Sequence, residues 1–190
     1  MKKAVLFLFL LIGAYSLRAQ SLTDKDVKFV QNTYQCGLYK VKLGELTAAK
    51  AKSDSVKVLG RRILVEHTKA NEELKSLAVA KNISLPDYLS PEDQKHYDEL
   101  VSTWGADFDQ SFVQIMITDH KKAVDAFKNE DLEGSDTEVR SWASVNLPII
   151  KHHLMLSQDL AVDLEKKKEK TRSENESRSR QGADKVGTLK

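Results

Sequence analysis

Four long stretches of the chain repeat apolar residues at the three- and four-residue spacing of an α-helix, and none alternates apolar with polar residues as a strand would. The first predicts a helix over 24–51, opened by Thr23-Asp24-Lys25-Asp26, with Val27, Val30, Tyr34, Leu38, Val41, Leu43 and Ala48 as its stripe. Ser53-Asp54-Ser55 breaks it and starts a second helix that runs to about Lys81 through Val56, Leu59, Ile63, Leu64, Ala70, Leu74, Leu77 and Ala78. Ser90-Pro91-Glu92-Asp93 opens a short helix to about Thr103, with Ser at the cap, Pro at the first position and an acid two residues later. Trp104-Gly105 is a break.

Asp107-Phe108-Asp109-Gln110 reads as a capping box for a third long helix, carrying Phe108, Phe112, Ile115, Met116, Ala123, Ala126 and Phe127 and stopped at Glu133-Gly134. Ser135-Asp136-Thr137-Glu138 caps a fourth, with Val139, Trp142, Ala143, Leu147, Ile150, Leu154, Leu160, Ala161 and Leu164. Pro148 inside it predicts a kink, because proline removes one backbone bond. The pattern predicts an all-α fold: two antiparallel hairpins joined by a long crossover that holds the short helix. That connection is the ferritin-like way of closing a four-helix bundle.

Three segments differ in composition. Residues 1–19 have a charged start at Lys2 and Lys3, an apolar run over 4–14, and a small-residue cleavage signal ending at Ala19, which is the layout of a secretory signal peptide. The expected location is therefore periplasmic or secreted, with outer-membrane association as an extension. Residues 20–165 form the predicted bundle domain. Residues 166–190 carry no stripe and are predicted to be a disordered basic tail. The leader over 1–18 carries +3 and the tail +5 of the overall +2, so residues 19–165 carry −6. A mildly acidic fold argues against nucleic-acid binding and leaves the tail as a contact for an anionic surface or the envelope. The single cysteine, Cys36, falls opposite the apolar centre of its helix and is predicted to be a surface thiol; an intermolecular disulfide, and with it a homodimer, is the alternative.

Polar residues within the stripes are the candidate chemistry. On helical wheels Glu45 falls at the centre of the first stripe and His67 at the centre of the second. Asp119 and His120 flank the third, and His153 lies on the inner face of the fourth, with His152 facing solvent. Two explanations compete: buried hydrogen bonds that fix helix pairing, or a divalent metal held by facing imidazoles and carboxylates. Counting residues from the turns puts His67 level with His120 and puts Glu45 level with His153. That is poor geometry for one shared site. The Glu-x-x-His pair of carboxylate-bridged di-iron bundles is absent, and so are C-x-x-C-H for covalent haem, G-x-S-x-G and a phosphate-cradling glycine loop. The sequence therefore leans away from an enzyme. It favours a non-enzymatic envelope-associated binding or stress-related module with no resident cofactor, the alternative being a metal-binding or oxidoreductive bundle.

Several segments together resemble the secreted bacterial domain of unknown function 4142. They are Leu43-Gly44-Glu45-Leu46, V-E-H-T-K-A-N over 65–71, F-D-Q-S-F-V-Q-I-M-I-T-D-H over 108–120 and L-P-I-I-K-H-H-L over 147–154. The resemblance covers about residues 24–164. It implies a ferritin-like bundle among proteins often labelled outer-membrane, with His67, His120 and His153 as the family histidines. It brings no established activity. The Glu/Asp-His pairs ending at His67 and His120 also suggest an internal repeat with a 53-residue offset.

Overall fold

The computed structural model describes residues 21–187, with side chains described through residue 180; the expected signal peptide lies outside the described residues. The chain forms α1 (Asp24–Lys50), α2 (Asp54–Ala80), α3 (Pro91–Ser102), α4 (Gly105–Glu133) and α5 (Thr137–Gly187), and no strand occurs among the described residues. Hydrogen bonds fix the topology. Lys25 at the start of α1 pairs with Glu133 at the end of α4 (2.8 Å), so these two helices run antiparallel. Lys81, just past α2, pairs with Asp136, just before α5 (2.7 Å), so α2 and α5 are antiparallel too. Consequently α2 and α4 run parallel, and the crossover over 81–104 travels the length of the bundle. It is tied along α1 by Gln31 to the Ser84 carbonyl, Gln35 to the Tyr88 carbonyl and Lys50 to the Val101 carbonyl. The expected four-helix bundle of two hairpins joined by a long crossover is what the chain builds.

Each hairpin turn is capped by a buried aspartate from the other hairpin. Asp109 accepts the backbone N–H groups of Lys52 (2.9 Å) and Ser53 (2.8 Å) at the α1–α2 turn. Asp26 accepts the N–H of Ser135 (2.8 Å) at the α4–α5 turn. The two are 83 residues apart, and the same offset relates the buried pairs Phe29 and Phe112, Val30 and Val113, and Val56 and Val139. The repeat is thus a whole hairpin at 83 residues, which replaces the 53-residue offset: His67 lies on the second helix of its hairpin and His120 on the first helix of the other. The capping box expected from Asp107 to Gln110 does not form, because the helix starts before it and Asp107 lies inside the first turn. Helix α4 begins earlier, at Gly105 (φ 63°), with Trp104 at its cap.

Two apolar clusters fill the bundle. One, around Tyr39, Leu43, Val56, Ile63, Phe112 and Met116, lies toward the α1–α2 turn. The other, around Phe29, Val30, Leu74, Phe127, Val139 and Ile150, lies toward the α4–α5 turn. The inward face of α1 differs from the expected stripe: Val30, Gly37, Lys40, Leu43, Gly44 and Thr47 are buried. Glu45 is exposed. Glycines and polar residues occupy much of the true face, so an apolar-only count rotates its centre away from where it lies. The glycines let α1 and α2 approach closely. A Cβ on Gly44 would stand 2.7 Å from the Leu64 backbone nitrogen and 2.8 Å from the Gly60 carbonyl.

Helix α5 continues without interruption past Pro148 and past residue 165, where a disordered tail was expected. Lys and Glu are good helix formers and no Gly or Pro intervenes before Gly182. The Arg172–Glu176 pair (2.9 Å) adds an i, i+4 link along this exposed helix.

Candidate metal centre

Between the two apolar clusters lies one polar layer. His67 comes from α2 one turn beyond Ile63, His120 from α4 one turn beyond Met116, and His153 from α5 three residues beyond Ile150. Their rings meet pairwise, with centroids 5.7 Å apart for His67 and His120, 5.4 Å for His67 and His153, and 5.1 Å for His120 and His153. One ring nitrogen from each lies within 4.8 Å of those from the other two. His120 and His153 are each 1 % exposed; His67 is half-buried, with its Nε2 sealed from solvent.

The partners of the outer nitrogens fix the tautomers. His120 Nδ1 lies 2.8 Å from the Met116 carbonyl, which can only accept, so Nδ1 carries the proton. His153 Nε2 lies 2.6 Å from Glu66 Oε2 and donates to that carboxylate. Each neutral ring therefore keeps a lone pair on its other nitrogen. His67 Nε2, His120 Nε2 and His153 Nδ1 are all buried and have no partner among the described residues. Burial holds all three histidines below the usual imidazole range. His67 is pushed well below it, with His120, His153 and Lys40 adding to the effect. His120 falls to about 3, mainly through burial, with Lys40 and His153 adding to it against the bond to Met116. His153 is lowered by burial, against the pull of Glu66. At neutral pH all three are uncharged, the form that coordinates a metal.

The sequence-predicted candidates separate cleanly. His153 joins His67 and His120 instead of lying at another level. His120 is 14 residues before Gly134 and His153 is 19 after it, a five-residue difference of about 7.5 Å in rise. Side chains on a helix lean toward its N-terminus, so on antiparallel α4 and α5 the rings lean in opposite directions along the bundle and close that gap. Glu45 is on the solvent face and is removed from the set. Asp119 is paired with Lys40 (2.6 Å) and is not one of the clustered groups. His152 is exposed, as expected. Sequence reasoning missed Glu66, which directly precedes His67 and orients a histidine on another helix, and Lys40, which is 5 % exposed on the unrecognised face of α1.

The three histidines line a cleft of about 930 Å³ whose wall also includes Gly37, Lys40, Asn71 and Asn146. An imidazole trio with ring nitrogens clustered within 4.8 Å, one ring held by a carboxylate, and a cleft beside it has the donor chemistry of a three-ligand metal site with a vacant position.

No curated protein matches the chain. Among solved structures, the crystal structure of a DUF305 fragment from Deinococcus radiodurans is similar, with a TM-score of 0.66 at 16% identity over 75% of this chain and 98% of that one. At that identity the likeness is one of fold. A family model matches residues 14–160, and the chain belongs to that family, described as a domain of unknown function, DUF4142.

Proposed function

We propose that the protein binds one divalent first-row transition metal ion through His67, His120 and His153. The observation that carries this reading is the convergence of three histidines that each bring a ring nitrogen within 4.8 Å of those of the other two, and that each have one buried ring nitrogen with no partner among the described residues. Buried polar atoms are nearly always satisfied, and three unpartnered ring nitrogens in one layer are poorly explained as helix-pairing hydrogen bonds. Metal–imidazole bonds of about 2.0–2.1 Å require nitrogens about 3.4 Å apart in a tetrahedral set. Small rotations of the three rings, of the order of 1 Å at the nitrogen, bring them there. An all-imidazole set suits zinc, copper, nickel or iron and disfavours magnesium or calcium. The N-terminal signal layout supports a periplasmic or secreted setting for this binding, and the exposed basic turns after residue 165 support contact with an anionic envelope surface.

The test is direct. Protein loaded with zinc or copper and then desalted retains one equivalent, and His67→Ala, His120→Ala and His153→Ala each lose it. Retention by all three variants, or none by the wild type, removes the proposal.

A further inference from the structure

The cleft wall holds a second unspent group. Asn71 lies one helical turn beyond His67 on the same face of α2, is 8 % exposed, and its Nδ2 has no partner among the described residues. Its position is prepared by the opposite helix. A Cβ at Gly37 would fall 2.0 Å from Asn71 Oδ1, so only glycine there leaves room for the amide. Asn71, Gly37 and all three histidines line the same cleft. A buried amide donor without an acceptor is as uncommon as an unsatisfied imidazole, and this one lines the same cleft as the histidine trio.

Charge points the same way. A divalent ion with three neutral imidazoles keeps its +2. Glu66 contributes one negative charge through His153, and Lys40 with Asp119 forms a neutral ion pair in the cleft wall. A net positive charge remains, and the cleft wall offers an unpartnered hydrogen-bond donor in Asn71. The requirements for a fourth ligand are therefore negative charge and an acceptor atom.

We infer that the fourth position of the three-histidine site takes a small exogenous anion, inorganic or carboxylate, which accepts a hydrogen bond from Asn71 Nδ2. This rests on the metal reading above. Asn71 is a positioning and affinity group for the anion, and the histidines are the ligands. The cleft, far larger than one water, admits such a ligand without rearrangement of the bundle.

The test uses the full chain loaded with cobalt(II), whose visible spectrum reports the coordination number and the fourth ligand. Cobalt content after desalting is measured first, so loss of the metal reading is seen before any anion is added. Azide is then titrated. The expected result is a saturable spectral change in the wild type. Asn71→Leu should keep one cobalt and bind azide about ten-fold more weakly, the size of one hydrogen bond to a charged group. Asn71→Asp, which places a carboxylate where the donor stood, should weaken azide further and serves if the leucine variant does not fold. A cobalt-loaded wild type whose spectrum azide leaves unchanged overturns the inference. Equal azide affinity in the wild type and in either folded variant does so as well.

Discussion

His153 Nε2 lies 2.6 Å from the carboxylate of Glu66, while Glu66's neighbour in sequence, His67, meets the same imidazole ring from another side. Two adjacent residues of α2 thus act on one histidine of α5. One holds its proton and the other packs against its ring. Carboxylate–imidazole pairs of this kind fix ring orientation and raise ligand basicity, and their loss costs about 10–100-fold in metal affinity. Glu66→Gln is therefore expected to retain the metal but bind it about 10–100-fold more weakly, as read by competition with a chromogenic chelator.

The helix-pairing explanation and the metal explanation predict opposite stability effects in metal-free protein. If His120 serves mainly to join helices, removing it costs stability. Among the described residues it makes one bond, to the carbonyl of its own helix four residues back, and its Nε2 is unsatisfied. Replacing such a group with an apolar one of similar size is neutral or stabilising, because the unmet desolvation cost of about 1–3 kcal/mol disappears. His120→Leu is expected to keep or raise the unfolding free energy of the metal-free protein while abolishing metal binding. A loss of more than about 2 kcal/mol in urea unfolding would favour the helix-pairing role.

The bundle was legible because long amphipathic stripes and capping residues carry their own geometry, as at Thr23 and Ser90, both of which cap as read. The metal centre was legible only in part. Residue counting along straight helices locates Cα atoms, and it separated His153 from His120 because the opposed lean of side chains on antiparallel helices is not in the count. The face of α1 was misplaced for a different reason. Gly37, Lys40, Gly44 and Thr47 bury themselves through close helix approach and ion pairing, and neither registers as hydrophobicity. Glu45 took their place on paper. Asp109 went unremarked for a related reason: its carboxylate serves the backbone of a turn 56 residues away, a contact no local pattern shows.

Acid sensitivity of the metal-free protein follows from the lowered histidines. Each has a folded pKa below its unfolded value near 6.5, so the unfolded chain binds protons that the folded chain refuses. Their stabilising contribution is complete above about pH 6.5 and is lost as pH falls toward the folded value, about 3 for His120. Thermal unfolding without metal should therefore weaken progressively below pH 6.5, more steeply than in a His67→Leu/His120→Leu double variant. For the same reason metal binding displaces few protons from the folded chain. Zinc affinity should therefore fall less steeply below pH 6.5 than that of an exposed histidine site, once chelator protonation is accounted for.

The close crossing of α1 and α2 gives a packing prediction. In an exposed helix Gly→Ala stabilises by about 1 kcal/mol. At Gly44 the new methyl would stand 2.7 Å from the Leu64 nitrogen, 2.8 Å from the Gly60 carbonyl and 2.9 Å from the Leu64 Cα, all backbone atoms with no rotamer to escape into. Overpacking of this kind costs about 1–3 kcal/mol and should outweigh the propensity gain. Gly44→Ala is expected to lower the melting temperature by several degrees.

At the other end of the bundle, Asp26 and Glu130 form a buried carboxyl pair, 0 % and 1 % exposed, beside the α4–α5 turn. Asp26 is already saturated by the Thr23 backbone and hydroxyl and by the Ser135 N–H, and these bonds hold its pKa at about 2 despite burial. Glu130, buried and hydrogen-bonded to that carboxylate, rises to about 7. It faces Asp26 and Lys25 from α1 and Arg140 from α5, and the two cations only partly offset the raise. Here the folded chain holds a proton that the unfolded chain releases, so the sign is opposite to that of the histidines. The contribution is complete below the ordinary carboxyl value of 4.5 and is lost as pH rises through about 7. Glu130→Gln keeps a donor toward Asp26 without a charge to ionise. Its melting temperature should match or fall slightly below that of the wild type at pH 5 and exceed it at pH 8. Parallel pH curves for the two proteins would mean that Glu130 is already ionised in the fold at pH 5.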